Sequence, residues 1–362
     1  MLALRLVVIE MNKLNQIERI KIKLRLAKNT DSFLEVFGAS SHKYILDSPL
    51  STQEILNFEK QYKITLPNAY KKFLSEVGNG GLEYKNSIVS NCSAGPDYGI
   101  FKLGHPQQFI TAPSLKYLEK ESFFNNNTTE QEWIKIDNEM DDNISDDDYD
   151  KKLGEAYSGI LNIGYSGCTA YSGIIVNGIN KGRIIGTYAE IEYCPHFFEE
   201  TNFLDWYENW LCEIISGKRI KQKGFTNKTE ESCLNRFLSD KEPYWKFVSL
   251  SHIRSFDKLS DSSIEILKKS YKKEKEKKVK LYILNLLTKF DYDCTKKEIA
   301  KLAQKNPMAF LRNLHLYNKE KSIEWLNKID EIKKYNDSEL LEYIEYITNL
   351  DIKTTANKAR KQ

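Results

Sequence analysis

Hydrophobic residues recur at helical spacing early in the chain, then at strand spacing, and then at helical spacing again. The segment STQEILNFEKQY begins with Ser51 and Glu54, the two residues of a capping box. LPNAYKKFLSEVGNGG, residues 66–81, has apolar residues at steps of three and four positions and ends in Gly and Asn. These patterns predict two short helices, the second with Pro67 at its first position and a tight turn of residues that tolerate positive φ after it.

Runs rich in β-branched and aromatic residues follow. They are LEYKNSIVS, YGIFKLG, GILNIGYSG, AYSGIIVNG and RIIGTYAEI, divided by glycines. NGINKG joins the last two as a hairpin connection, and no helical pattern separates the last three. We therefore predict an antiparallel meander and no βαβ unit. The segment ETNFLDWYENWLCEIISGK, with Asn202 as cap and Gly217 as stop, predicts a closing helix.

From about residue 225 the pattern changes to amphipathic helices with short polar joints, typical of stacked helical hairpins. We expect three parts: a basic amphipathic segment at 1–30, an α+β domain at 31–224 and a helical domain at 225–362. The opening MLALRLVVIE is too short to span a bilayer, and it leaves open whether Met1 or Met11 is the true start. Six cysteines without a CxxC pair favour reduced thiols in a cytoplasm.

Charge is distributed unevenly along the chain. The net charge is +5 over residues 1–28, −10 over 29–224 and +8 over 225–362, which gives +3 overall. Eight acidic residues fall within 137–150, a run that we interpret as a solvated or mobile loop. An acidic middle repels nucleic acid and attracts basic proteins.

Patterns for metal or cofactor chemistry are incomplete. Asp146, Asp148 and Asp150 alternate like a calcium loop, but Lys151 and Tyr157 stand where that loop needs Gly and Glu.

Cys194-Pro195-His196 lacks further ligands nearby, and no glycine pattern opens a phosphate-binding helix. The lysine-rich run 268–280 contains a single aromatic residue and favours a solvated helix face over a nucleic-acid site. We predict no enzyme activity, cofactor, metal or membrane partner.

A family resemblance covers residues 52–110 and 157–216. Its motif residues are Leu66, Pro67, Tyr70, Phe73, Leu74, Asn79, Gly80 and Gly81, followed by LNIGYSG, GIIVNGINKGRIIG and FLDWYENWL. In this order the segments resemble the SMI1/KNR4 family of the SUKH superfamily. The family often has an acidic GxGD stretch where this chain reads Gly167-Cys168-Thr169-Ala170-Tyr171, so a ligand of that acidic position is in doubt here.

The resemblance implies a central antiparallel sheet flanked by helices, and the helical domain lies outside it. Bacterial members are mostly immunity proteins that bind a toxin, often a nuclease, while fungal relatives regulate cell-wall synthesis. We hypothesise a cytoplasmic immunity protein with a basic toxin as partner. The expected toxin-facing residues are Asp97, Tyr98, Asp141, Asp142, Asp146, Asp147 and Asp148. Alternatives are an acidic loop that is merely solvated, a non-catalytic adaptor that docks through its helical tail, and an enzyme.

Overall fold

The computed structural model describes residues 14–81, 92–140, 144–189, 191, 193–220 and 229–359. Its contacts divide the chain after Ile215, and the first compact unit begins at Leu14. The second unit contains the helices that follow residue 229. The domain limits expected at residues 30 and 224 stay predictions; the structure places the helix at 16–30 in the same unit as the sheet.

A six-stranded antiparallel sheet lies at the centre of the first unit. Its order follows the chain: β1 (Cys92–Ser93), β2 (Gly99–Phe101), β3 (Ile160–Gly167), β4 (Ala170–Ile175), β5 (Ile184–Tyr188) and β6 (His196–Phe197). Every neighbouring pair is antiparallel, so the predicted meander is confirmed. The predicted strand LEYKNSIVS lies outside the described residues.

Seven α-helices are described in this unit. They are α1 (Gln16–Thr30), α2 (Ala39–His42), α3 (Thr52–Tyr62), α4 (Asn68–Glu76), α5 (Glu130–Asn138), α6 (Asp146–Ala156) and α7 (Phe203–Ile215). Capping boxes start α1, α3 and α5, and the one at Ser51 and Glu54 is the one predicted. Asn202 accepts hydrogen bonds from the backbone of Leu204 and Asp205, so it caps α7 as expected.

Helices α5 and α6 cover one face of the sheet. Trp133 and Leu153 pack with Ile160, Ile175 and Ile185, which lie on that face, and all five side chains are buried. The alternate residues Leu161, Ile174 and Ile184 point to the other face and are completely buried too. Both faces of the sheet are therefore covered at this end.

The acidic segment is partly helical, which corrects the interpretation of 137–150 as a loop. Helix α6 begins at Asp146, and the Ser145 hydroxyl accepts a hydrogen bond from the Asp148 backbone at 3.2 Å. Carboxylates in a first helical turn are stabilised by the helix dipole, and Leu153 and Ala156 bury the far end of α6 on the sheet. Asp141 and Asp142 lie outside the described residues.

The turn after α4 depends on close packing against β2 as well as on the positive φ that the sequence predicts. In Asn79-Gly80-Gly81 only Gly81 has a positive φ, of 79°. Gly80 instead lies against β2, where an added Cβ would stand 2.2 Å from the carbonyl carbon of Phe101. The Asn79 side chain accepts from the backbone N–H of Leu103 at 3.0 Å, which ties the same turn to β2. Pro67 precedes α4 as its N-cap and is not its first residue.

The second unit is helical throughout its described part, which confirms the all-α prediction. Its helices are α8 (Glu230–Ser239), α9 (Pro243–Arg254), α10 (Asp261–Lys273), α11 (Lys277–Phe290), α12 (Lys296–Lys305), α13 (Pro307–Tyr317), α14 (Leu326–Lys333) and α15 (Ser338–Ala359). Helix α11 is buried along most of its length and contacts α9, α10 and α13. It is the central helix of this unit.

Candidate functional site

The outer surface of α5 and α6 is acidic. Residues 130–156 contain eleven acidic and three basic residues, a net charge of −8. Asp146, Asp147 and Asp148 are exposed, and none of them forms an ion pair with a described residue. In the same region Glu139 does have a partner, Lys152 at 3.2 Å. We call Asp146, Asp147 and Asp148 the acidic turn.

The acidic turn is fixed to the sheet by buried contacts. Trp133 of α5 donates its indole N–H to the backbone carbonyl of Ile191. The Thr111 hydroxyl donates to the carbonyl of Asp150 at 3.1 Å. The Gly154 backbone lies so close to Thr111 and Tyr117 that an added Cβ would stand 3.0 Å from the Thr111 methyl group. The three carboxylates are therefore displayed on a helix with a defined position.

Asp97 and Tyr98 occupy a different place, the turn between β1 and β2. Asp97 is half-buried and has a φ of 56°. No described contact joins these two residues to the acidic turn. The predicted toxin-facing residues thus divide into two groups, on α6 and at the β1–β2 turn.

Tyr98 belongs to a row of four rings across the strands. Its ring lies 4.9 Å from that of Phe37, edge to face, and 5.4 Å from that of Tyr165, stacked. Tyr165 lies 5.4 Å from Tyr171, its cross-strand partner in the β3–β4 pair. We call Phe37, Tyr98, Tyr165 and Tyr171 the aromatic ridge. Phe37 is 58% exposed, and the three tyrosines are half-buried.

Two glycines allow the ridge to form. A Cβ on Gly38 would stand 1.7 Å from the Asp97 carbonyl oxygen, so only glycine lets the 33–38 loop approach the β1–β2 turn. A Cβ on Gly167 would lie 3.0 Å from the Tyr98 ring. The Tyr165 hydroxyl also donates to the Cys168 carbonyl at 3.1 Å. The rings are thus held from both sides before any partner binds.

The sequence predicts Tyr98 as a partner-facing residue but does not single out Phe37, Tyr165 and Tyr171, which the structure places in one row with it. Tyr165 and Tyr171 stand at the adjoining ends of two predicted neighbouring strands. Their pairing across the hairpin can therefore be predicted from the sequence. Phe37 comes from a loop whose position the sequence does not specify. The Cys168-Thr169-Ala170 departure from the family pattern lies in this same hairpin, between the two tyrosines.

A buried ionic cluster joins α1 to α7. Glu208 accepts from Arg19 at 2.9 Å and from Lys23 at 2.7 Å, and its side chain is 12% exposed. Burial alone would raise the pKa of Glu208, but the hydrogen bonds from Arg19 and Lys23 outweigh it and lower the pKa. Gln16 bridges Glu208 and Asp205. The cations are neutralised within the cluster, so we assign it to holding α1 in place.

The other candidate catalytic and metal-binding residues do not form a cluster in the described part of the chain. Cys194 lies at the rim of the α5–α6 core, where burial raises its pKa, whereas His196 is exposed on β6 with its ring against Phe198. Among the described residues, no group of three or more His, Cys, Asp or Glu side chains could hold a metal ion. No helix in the described part of the chain is both long and apolar enough to cross a bilayer.

A cleft of about 590 Å³ runs beside α3 and α4. Its walls combine apolar side chains such as Ile55 and Leu204 with the Lys71–Glu59 ion pair, whose atoms are 3.2 Å apart. Glu59 also accepts from the backbone N–H of Leu66 at 2.7 Å, so it serves the turn before α4. Among the described residues of the cleft, Lys71 and Glu59 are paired with each other, so we assign this pair to the local structure and not to catalysis.

Comparison with known proteins finds a family resemblance over most of the first unit. The model of the SMI1 / KNR4 family (SUKH-1) matches residues 49–209, from the turn before α3 into α7. No curated protein and no solved structure matches the chain. The residues predicted as the family motif, Leu66, Pro67, Tyr70, Phe73, Asn79 and Gly80, are all buried in the structure. Residues 49–209 of this chain are therefore similar to the SMI1/KNR4 (SUKH-1) family, which includes toxin immunity proteins.

Proposed function

We propose that this chain is a cytoplasmic immunity protein of a bacterial toxin system, which binds a basic toxin domain, such as a nuclease, and blocks its active site. The observation that carries the proposal is the acidic turn: three exposed carboxylates without a described counter-ion, on a helix fixed to the sheet of a SUKH-1 domain. Toxins that bind nucleic acid have basic surfaces, and such a surface would complement these carboxylates.

The charge of the whole first unit supports the same partner class. Residues 14–215 contain 29 acidic and 19 basic residues, a net charge of −10. A field of this sign accelerates encounter with a cationic protein, and the effect weakens as salt screens it. The proposal therefore assigns the carboxylates mainly to the association rate.

The buried thiol of Cys92 is unsuited to nucleophilic catalysis. Burial raises its pKa to about 12, so it is protonated at neutral pH. A protonated thiol is a poor nucleophile. In this proposal the protein acts by occlusion and needs no cofactor.

The proposed function is tested by measuring whether the chain protects growing cells from a toxin. The chain is co-expressed with the toxin candidates encoded beside its gene, and rescue from growth arrest identifies the partner. We expect the triple variant D146N/D147N/D148N to protect at least tenfold less well at limiting expression. The matched control is E76Q/E121Q/E199Q, which removes three exposed carboxylates elsewhere in the same unit. Equal protection by the two triple variants contradicts the assignment of the acidic turn.

The second candidate, a non-catalytic adaptor, is favoured by an apolar group on the second unit. Leu238, Tyr244 and Trp245 are 55%, 66% and 43% exposed at the junction of α8 and α9. Exposed apolar groups of this kind occur at protein interfaces. Absence of a toxin gene beside this one, together with loss of a cellular partner in L238S/Y244S variants, would support the adaptor function instead.

A further inference from the structure

We infer that the aromatic ridge is an arginine-binding surface, on which guanidinium groups of the basic partner stack against the rings of Phe37, Tyr98, Tyr165 and Tyr171. The inference rests on the proposed function for the identity of the partner. It adds a second contact area to the acidic turn and names the chemistry that this area recognises.

The first argument is the geometry of the rings. Four rings follow one another at centroid distances of 4.9, 5.4 and 5.4 Å, and each is at least partly exposed. A cation placed over a tyrosine or phenylalanine face within about 6 Å of the centroid is attracted by the ring quadrupole. Arginine is favoured over lysine because its planar group also stacks.

The second argument is the charge around the ridge. The strand segments that contain the three tyrosines, residues 92–101 and 164–175, have no Lys or Arg, and their one charged residue is Asp97. Lys102, which follows the first segment, pairs with Asp47 at 4.0 Å. Asp97 forms no ion pair with a described residue, and it adjoins Tyr98. A cation on the ridge beside Tyr98 would lie near the Asp97 carboxylate, which favours a positively charged occupant.

The third argument is preorganisation. Gly38 and Gly167 permit the close approach that holds Tyr98, and the Tyr165 hydroxyl is tied to the Cys168 carbonyl. Rings that are fixed before binding lose little conformational entropy when a partner arrives. Tyrosine and arginine are also the residues most enriched where interfaces gain their affinity. The ridge therefore has the composition and the rigidity of an interface centre.

The experiment uses the whole chain with 3-fluorotyrosine and two probe peptides. One peptide repeats Gly-Arg, and the control peptide repeats Gly-citrulline, which has nearly the same shape without the charge. We expect the arginine peptide to shift the fluorine resonances of Tyr98, Tyr165 and Tyr171, and the citrulline peptide to leave them unchanged. Equal shifts with both peptides, or none with either at millimolar concentration, overturn the inference.

Paired substitutions at Tyr165 separate the contribution of the aromatic ring to peptide binding from that of the hydroxyl group. Y165F keeps a π face and should bind the arginine peptide within about twofold of the unsubstituted chain. Y165L removes the π face and should weaken binding by roughly two- to fivefold, the effect expected for one exposed cation–π contact. Circular dichroism of both variants checks that they fold, and F37L provides a second test on a side chain that is already exposed. Equal binding by Y165F and Y165L, and by F37L and the unsubstituted chain, contradicts the inference.

A last variant distinguishes this inference from the proposed function. D146N/D147N/D148N lacks the three carboxylates of the acidic turn but retains the aromatic ridge. Its tyrosine resonances should therefore still respond to the arginine peptide. If this response persists while toxin protection is absent in every variant, the ridge binds arginine and the immunity proposal fails. If protection is normal but no tyrosine responds, the arginine-binding inference fails alone.

Discussion

His42 is a buried imidazole whose protonation is opposed by its surroundings. Its Nδ1 accepts from the backbone N–H of Tyr44 at 3.0 Å, and its Nε2 has no hydrogen-bond partner among the described residues. The rings of Tyr44 and Trp210 lie 5.2 and 5.8 Å away. Burial lowers the pKa of His42 to about 4, because the charged form would lose its hydration and the Tyr44 hydrogen bond.

We predict that the first unit loses stability as the pH falls from 6.5 to 5. Below the ordinary pKa of about 6.5, the unfolded chain binds a proton at His42 while the folded chain does not. This proton uptake lowers the free energy of unfolding by about 2 kcal/mol at pH 5. Hydrogen exchange of the β3 amides, corrected for intrinsic rates, reports the free energy of unfolding. The variant H42N retains an acceptor and should show a smaller decrease; identical pH slopes would refute this account.

Gly80 provides a second prediction at this scale. Its substitution by alanine places a Cβ within 2.2 Å of the β2 backbone at Phe101, which we expect to destabilise the first unit by roughly 2–3 kcal/mol. G104A is the control, because Gly104 has a φ of 87° but open space around it, and strain alone costs about 1 kcal/mol. Denaturant unfolding of both variants measures the difference. A G80A variant no less stable than G104A would show that the turn can move away from β2.

At the scale of elements, the Glu208 cluster couples α1 to α7. In E208Q the cations of Arg19 and Lys23 lose their carboxylate in a poorly hydrated position, and we expect a loss of about 1–3 kcal/mol. Exchange of the α1 amides should rise more than that of α4. E199Q, the control, removes an exposed carboxylate from the same chain and should change neither the stability nor the exchange of the α1 amides. Unchanged α1 protection in E208Q would mean that apolar packing alone holds this helix.

Elements with local signals were predictable from the sequence. The capping box at Ser51 and Glu54 specifies the start of α3, and the glycine-divided runs specify β3, β4 and β5. Helix α6 was missed because its sequence is mostly charged. Its stability depends on the packing of Leu153 and Ala156 against the sheet, which is a tertiary contact.

The site was less predictable than the fold. Tyr98 was selected, yet the ridge that contains it depends on the strand register, on two glycine contacts and on a loop that carries Phe37. These are properties of the assembled sheet. Composition alone predicts an acidic segment at 137–150, but it does not show that Asp146, Asp147 and Asp148 begin a helix packed on the sheet.

At the scale of the whole molecule, opposite charges lie in the two units. The first has a net charge of −10, and residues 216–362 contain 33 basic and 21 acidic residues, a net charge of +12. A basic toxin would be attracted to the first unit and repelled by the second. The position of the acidic carboxylates, and not the total charge of +3, should therefore govern recognition.

The most direct measurement of the central claim is the association rate constant of the whole chain with the proposed toxin partner at low and high salt. The account predicts that D146N/D147N/D148N associates at least tenfold more slowly than E76Q/E121Q/E199Q at about 10 mM salt, and that the difference largely disappears near 1 M salt, where the Debye length is about 3 Å. Equal rates for the two variants at low salt would contradict it.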